Sequence, residues 1–140
     1  MSFLLDTDLV SLTQKNFLPA KLETWLIEHE HESFISVVSI AEMRHGLECA
    51  PESHQPALAA KVNGTETHCA AAIEPVTVET LLEWKRVFAH LKKTKLTMTC
   101  EDSLLAAQCL QLGHAIVTNN TKHFHPVKAL GLKIVNPLAD

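Results

Sequence analysis

No segment of the sequence approaches the roughly 18 consecutive apolar residues that a membrane-spanning helix needs. The N-terminus also lacks the basic start and long apolar stretch of a secretory signal, so no membrane contact and a cytoplasmic location are expected. Glycine and proline are scarce, at 4 and 6 of 140 residues, and there is no internal repeat, low-complexity tract or linker. Collagen-like and disordered classes are thereby excluded, and a single domain spanning residues 1–140 is the expectation. The four cysteines, Cys49, Cys69, Cys100 and Cys109, form no C-x-x-C pair and are expected to be small buried hydrophobes without a disulfide. Nine histidines are many, but neither His29/His31 nor His123/His125 lies beside the cysteines in a zinc-ligand pattern. An excess of positive charge is missing too. The net charge of −4 argues against holding nucleic acid by bulk electrostatics. That average conceals an asymmetry: residues 1–70 carry 4 basic and 10 acidic side chains, residues 71–140 carry 8 basic and 6 acidic.

What the chain does contain is an alternation of strand and helix patterns. Apolar or β-branched runs at 2–5, 34–39, 74–78, 115–118 and 133–136 read as five strands. Helical patterns fall at about 8–15, 20–31, 40–49, 55–72, 79–94 and 101–112. In the segment 79–94, Leu81, Trp84, Phe88 and Leu91 recur at three- and four-residue spacing, which predicts one apolar stripe facing a core. Strands separated by helices imply right-handed crossovers and an α/β fold with a mostly parallel sheet covered on both faces. In such a fold functional groups gather at the carboxyl edge of the strands.

Acidic residues are predicted at that edge from three separate segments. Asp6 and Asp8 follow the first strand in "FLLDTDLVSL". Glu42 follows the second, and Asp102 opens the helix before the fourth, with Glu101 beside it. Each also has a local explanation. Ser39–Glu42 and Thr99–Asp102 both fit a capping box, and Asp6 or Asp8 could be an N-cap. Taken together, clustered carboxylates repel one another unless a cation sits among them. An all-oxygen ligand set suits a hard ion such as Mg²⁺ or Mn²⁺. The stretch "VTNNTKHF" (117–124) can bring Thr118, Asn119, Asn120 and His123 to the same rim. Asn120 could serve as a neutral ligand, steady a water of the ion, or simply be a turn residue.

These motifs carry a resemblance. "LLDTDLVS", "SVVSIAEMRHGLE" and "EDSLLAAQCLQLGHAIVTNNTKHF" resemble, in order, the L-D-T-[ND] strand, the acid-and-glycine helix and the D-x-x-I-A-A helix with its T-x-N-x-x-[DH]-F turn of PIN-domain ribonucleases, within them the VapC-type toxins. The resemblance implies a PIN-like three-layer α/β/α sandwich with a five-stranded parallel sheet. It places metal-binding acids at Asp6, Glu42 and Asp102, with Asp8 and Asn120 completing the catalytic group. It further implies a Mg²⁺- or Mn²⁺-dependent endoribonuclease that hydrolyses RNA as the toxin of a toxin–antitoxin pair, a cognate antitoxin that silences the pocket, and a homodimer. The family's fourth acid has no clear counterpart: Asp8, Glu101, Asn119 and His123 are the residues that could replace it. Residues 48–72 match least, in the region where family members differ in substrate and partner contacts. A rival reading is a catalytically degenerate PIN-like binding module that acts through a protein partner.

Overall fold

A computed structural model of the chain describes residues 1–14, 18–68 and 72–139. Five strands, β1 (Ser2–Leu5), β2 (Ser33–Ser36), β3 (Ile73–Glu74), β4 (His114–Val117) and β5 (Ile134–Val135), form one sheet in the order β3-β2-β1-β4-β5 with every pair parallel. Among the described residues six α-helices supply the crossovers: α1 (Thr7–Thr13), α2 (Ala20–Glu28), α3 (Val37–Cys49), α4 (Gln55–His68), α5 (Val78–Thr94) and α6 (Cys100–Leu112). The expected α/β class with a five-stranded parallel sheet is therefore the observed one.

The three layers follow from side-chain alternation along β1. Phe3 and Leu5 face one side, where they pack with Leu9, Val10, Leu22, Ile40, Met43 and Val62 from the first four helices. Leu4 faces the other, joining Val87, Leu91, Leu105, Ala106 and Phe124 beneath α5 and α6. Residues of β4 divide in the same way, Ala115 and Val117 to one core and Ile116 to the other. A strand buried on both faces needs apolar side chains at successive positions, which is why Phe3–Leu5 and Ala115–Val117 read as continuous runs. Each run is preceded by a polar residue, Ser2 or His114, and these two pair with each other.

Several sequence-based boundaries need correction. The strand expected at 34–39 ends at Ser36, whose side chain accepts from the Val38 N–H and starts α3 three residues earlier than the pattern suggested. Gln108, fully buried, fixes this turn. Its Oε1 accepts from Ser36 Oγ, and its Nε2 donates to the carbonyls of Glu74 and Pro75. The helix expected over 20–31 ends at Glu28 and a short 3-10 turn covers Glu30–Glu32. The strand expected at 74–78 is displaced to Ile73–Glu74, because Thr77 and Thr80 form a reciprocal capping box that commits the following residues to α5. The stripe on α5 is also shifted. Thr80, Val87 and Leu91 are buried and Trp84 is half-buried, whereas Leu81 and Phe88 are exposed at 42% and 49%. Cys109 is buried as expected, but Cys49 and Cys100 are exposed, and all three are free thiols. The expected ends of the first and fourth helices, at 15 and beyond 68, and Cys69 lie outside the described residues.

Candidate active site

The strand order reverses direction at β1. The chain crosses to β2 and β3 on one side, then returns to place β4 and β5 on the other. The crevice at the carboxyl ends of β1 and β4 is thus the topological switch point, where open parallel sheets bind ligands. Asp6 lies there, one residue beyond β1, with its N–H donating to the Val117 carbonyl at 2.9 Å. Thr118, one residue beyond β4, donates its hydroxyl to Asp6 Oδ2 at 2.7 Å, so the crevice is bridged by side chains.

Asp6 occupies the N-cap position of α1, yet its carboxylate makes none of the usual capping bonds to the second or third N–H of the helix; its partners are the Thr118 hydroxyl and the adjacent Thr7 N–H. The local explanation offered by the sequence therefore does not account for it. Its side chain is directed into the fold, 4% exposed. Burial pushes its pKa up to about 6, and the charges of Asp8 and Asp102 add to the rise, against lowering by the Thr118 hydroxyl and the Thr7 N–H. A buried carboxylate facing the charges of two others is unfavourable in isolation, which makes Asp6 a candidate site residue.

Glu42 reaches the rim differently from the expected first-turn position. Because α3 begins at Val37, Glu42 stands in its second turn, and Ser39 is an interior helix residue and not a cap. Thr7 Oγ1 lies 2.8 Å from Ser39 Oγ and donates to Glu42 Oε1 at 3.1 Å, tying α1 to α3 beside the acids. Burial raises the Glu42 pKa, and Glu101, Asp102 and Asp6 raise it further. Asp102 is held at the start of α6, where Thr99 is a true N-cap accepting from the Asp102 N–H at 3.1 Å. The pKa of Asp102 is likewise raised, first by burial and then by Asp8 and Glu101, while Thr99 and His123 oppose the shift. His123 Nδ1 stands 3.6 Å from Asp102 Oδ2.

Asp8 is exposed, and Asn120 Nδ2 donates to its Oδ2 at 2.5 Å. Asn120 is positioned in turn by its own N–H, which donates to Thr118 Oγ1 at 2.9 Å. One hydroxyl thus orients Asp6 directly and, through Asn120, Asp8. Thr118 had been placed near the rim by its position after the fourth strand, but Thr7 and Ser39 were missed. The signal for Thr7 was its place between the two aspartates, at the step where β1 becomes α1.

Asp6, Glu42, Asp102 and Asp8, with Glu101, all fall within one electrostatic neighbourhood. Among the described residues no three His, Cys, Asp or Glu side chains are placed close enough together to hold a metal ion, so the case for one rests on the chemistry of the donors. The donor set fits an ion that keeps part of its own hydration: only oxygen ligands, partly desolvated, from separate elements, with mutual repulsion that a divalent cation relieves. The same features disfavour zinc, which prefers four nitrogen or sulfur ligands in a closed tetrahedron. Two grooves open on either side of the acids. One, of about 460 Å³, runs between α1, α3 and α4 and includes Asp8 and Glu42 in its lining; the other, of about 420 Å³, includes Asp102, His123 and Lys122.

The family model described as PIN domain matches residues 4–129. Among solved structures, FitAcB from Neisseria gonorrhoeae is similar at 18% identity with a TM-score of 0.81, covering 96% of this chain and 97% of that one. DNA-bound VapBC from Salmonella typhimurium is similar at 19% identity with a TM-score of 0.80, covering 98% of each chain. VapBC-5 from Mycobacterium tuberculosis, a member of the VapBC family of toxin–antitoxin systems, is similar at 18% identity with a TM-score of 0.70, covering 96% of this chain and 98% of that one. No curated protein matches the chain by sequence.

Proposed function

This chain belongs to the PIN-domain family, and on that premise we propose that it is a Mg²⁺- or Mn²⁺-dependent endoribonuclease acting as the toxin of a toxin–antitoxin pair. The observation that carries the reading is Asp6: a carboxylate at a helix N-cap that does not cap, buried at the switch point within reach of the charges of Asp8 and Asp102. Asp6, Glu42 and Asp102 are the residues that would hold the ion. Bound there, a divalent cation supplies charge neutralisation at the phosphate and lowers the pKa of an attacking water.

The chain's own groups have distinct tasks in this scheme. Thr118 keeps Asp6 turned toward the crevice, and Thr7 does the same for Glu42. Asn120 holds Asp8 at the open side of the site, where its carboxylate orients a water for attack on the scissile phosphate. Asp8 thereby takes the part of the absent fourth acid, with Asn120 as its support. His123 stands beside Asp102, on the side of the second groove.

The similar structures include complexes of toxin with antitoxin, and we extend that kind of partner to this chain. A basic side chain of the antitoxin entering among Asp6, Glu42 and Asp102 would replace the cation's charge and silence the site. The exposed apolar face of α5, with Val78, Leu81, Leu82 and Phe88, supports a homodimer. No described helix is long and apolar enough to cross a membrane, and RNA in the cytoplasm is the proposed target.

The rival binding-module reading draws on the absent fourth acid. Titration of the purified protein with Mn²⁺ separates the two. The nuclease reading expects one saturable site that Asp6→Asn and Asp102→Asn remove while the circular dichroism spectrum is preserved. A scaffold would take up no Mn²⁺, or would bind it equally in both variants.

A further inference from the structure

The groove beside Asp8 and Glu42 is built by one face from each of three helices. From α3, Glu42, Met43 and Gly46 line it; from α4, Leu58, Lys61 and Val62, at three- and four-residue spacing, form the opposite wall. Leu58 is the accessible apolar side chain of this wall; Met43 and Val62, buried in the core beneath, form the groove's floor, and Met43 is held in place by Gln14, whose Nε2 donates to its Sδ at 3.1 Å. Lys61 is the single cation among the lining residues and is exposed, in a half of the chain where acids outnumber bases. At Gly46 a Cβ would meet no atom within 4 Å, so the glycine leaves open space over the groove.

We infer that this groove is a nucleoside subsite: it seats the base next to the scissile phosphate against Leu58, above a floor formed by the buried Met43, with Lys61 pairing with a flanking phosphate of the same strand. The inference rests on the nuclease reading and deepens it. A volume of about 460 Å³ is in the range of small-molecule sites. A nucleobase has apolar faces and polar edges, which suits an apolar wall facing polar residues of α1. The groove shares Asp8 and Glu42 with the acidic centre, so a strand lying across the centre must pass through it. A polyanion crossing a ring of carboxylates also needs positive charge where it enters and leaves. Lys61 provides it on one side and Lys122, in the second groove, on the other. The wall formed by α4 falls in residues 48–72, the stretch least like the family motifs, so base preference here is set by residues particular to this chain.

The three methionines provide the test, because Met43 lines this groove, Met98 lines the other, and Met1 is 69% exposed at the start of the chain. Protein carrying ¹³C-methyl methionine is titrated with each nucleoside 5′-monophosphate in the presence of Mg²⁺. The expected result is a saturable shift of the Met43 methyl with Met1 unmoved, lost in Gly46→Leu, a substitution that fills the groove at an exposed helical position and improves helix propensity. In cleavage of a short single-stranded RNA, Gly46→Leu and Lys61→Ala should raise KM about tenfold, the size of one charged contact, with kcat changed less than about twofold. A response of Met98 instead of Met43, no response to any nucleotide, or an unchanged KM in both variants overturns the inference. So does a Gly46→Leu protein that cleaves RNA normally but escapes silencing by its protein partner, which would give the groove to that partner. Absence of cleavage by the wild type with a Met43 shift intact would refute the nuclease reading alone; cleavage without the shift would refute the subsite alone.

Discussion

Replacing Asp6 by Asn should make the metal-free protein more stable at neutral pH while removing its metal site. Asp6 is buried, and its pKa rises on folding from 3.8 to about 6. A carboxyl whose folded pKa lies above its unfolded one holds its proton more tightly in the native state. Its contribution to stability is therefore full below about pH 4 and is lost as pH rises through about 6. Two pH units at roughly 1.4 kcal/mol each correspond to about 3 kcal/mol withdrawn above pH 7. The neutral amide escapes that loss. It also offers one acceptor oxygen where the carboxylate has two, so the donors Thr118 and Thr7 are less well matched, at a cost of about 1 to 2 kcal/mol. The net expectation is a gain of about 1 to 2 kcal/mol at pH 8 that shrinks or reverses by pH 4.5. Urea denaturation in EDTA at the two pH values measures it as a change in midpoint at constant slope. Glu42 and Asp102 carry upward shifts of the same sign and are present in both proteins, so both should lose stability with rising pH, the wild type more steeply because it alone keeps Asp6. Mn²⁺ at a hundred times its dissociation constant should restore about 2.7 kcal/mol to the wild type and nothing to the variant. An Asp6→Asn protein that is less stable than wild type at pH 8 in EDTA would make Asp6 a structural residue and refute the reasoning.

Thr118→Val removes the hydroxyl that favours the charged form of Asp6, so the acid limb of metal-dependent activity should move to higher pH, as read from a kcat/KM profile. Gln108→Ala leaves Ser36 Oγ and two carbonyls without their buried partner and should cost about 2 to 4 kcal/mol in a chemical denaturation experiment. Lys95, the C-cap of α5, sits at φ 58 in the left-handed region; Lys95→Gly should stabilise the protein by about 1 kcal/mol, visible as a raised Tm. Phe88→Glu on the exposed face of α5 should convert a homodimer to monomer in sedimentation velocity without lowering Tm.

The fold was legible because the two central strands, β1 and β4, announce themselves. A run such as "SFLL" or "HAIV" is apolar at successive positions, a pattern that only a strand covered on both faces requires. Element boundaries were less legible where a distant residue decides them. Ser36 caps α3 with Gln108 lodged against it from 72 residues away, and no local pattern around Ser36 reports that contact. The α5 stripe misled for a related reason. Leu81 and Phe88 have core-like spacing, yet the capping box and the Thr80–Gln111 contact rotate the helix so that Thr80, Val87 and Leu91 face inward. At the site, Asp6 and Asp8 could be placed at the rim from the end of β1, and Glu42 and Asp102 from their places early in helices. The hydroxyls of Thr7 and Ser39 could not, because their importance arises only when α1 and α3 meet.

Metal-dependent cleavage of RNA, measured by mapping product ends after incubation with Mg²⁺, with EDTA, and with EDTA followed by excess Mg²⁺, decides the function. The wild type should cut at defined positions in Mg²⁺, stop in EDTA and resume on addition of the ion, while folded Asp102→Asn stays inactive throughout. Cleavage that persists in EDTA, or that Asp102→Asn performs at the wild-type rate, would contradict the assignment of Asp6, Glu42 and Asp102 to a metal-dependent nuclease centre.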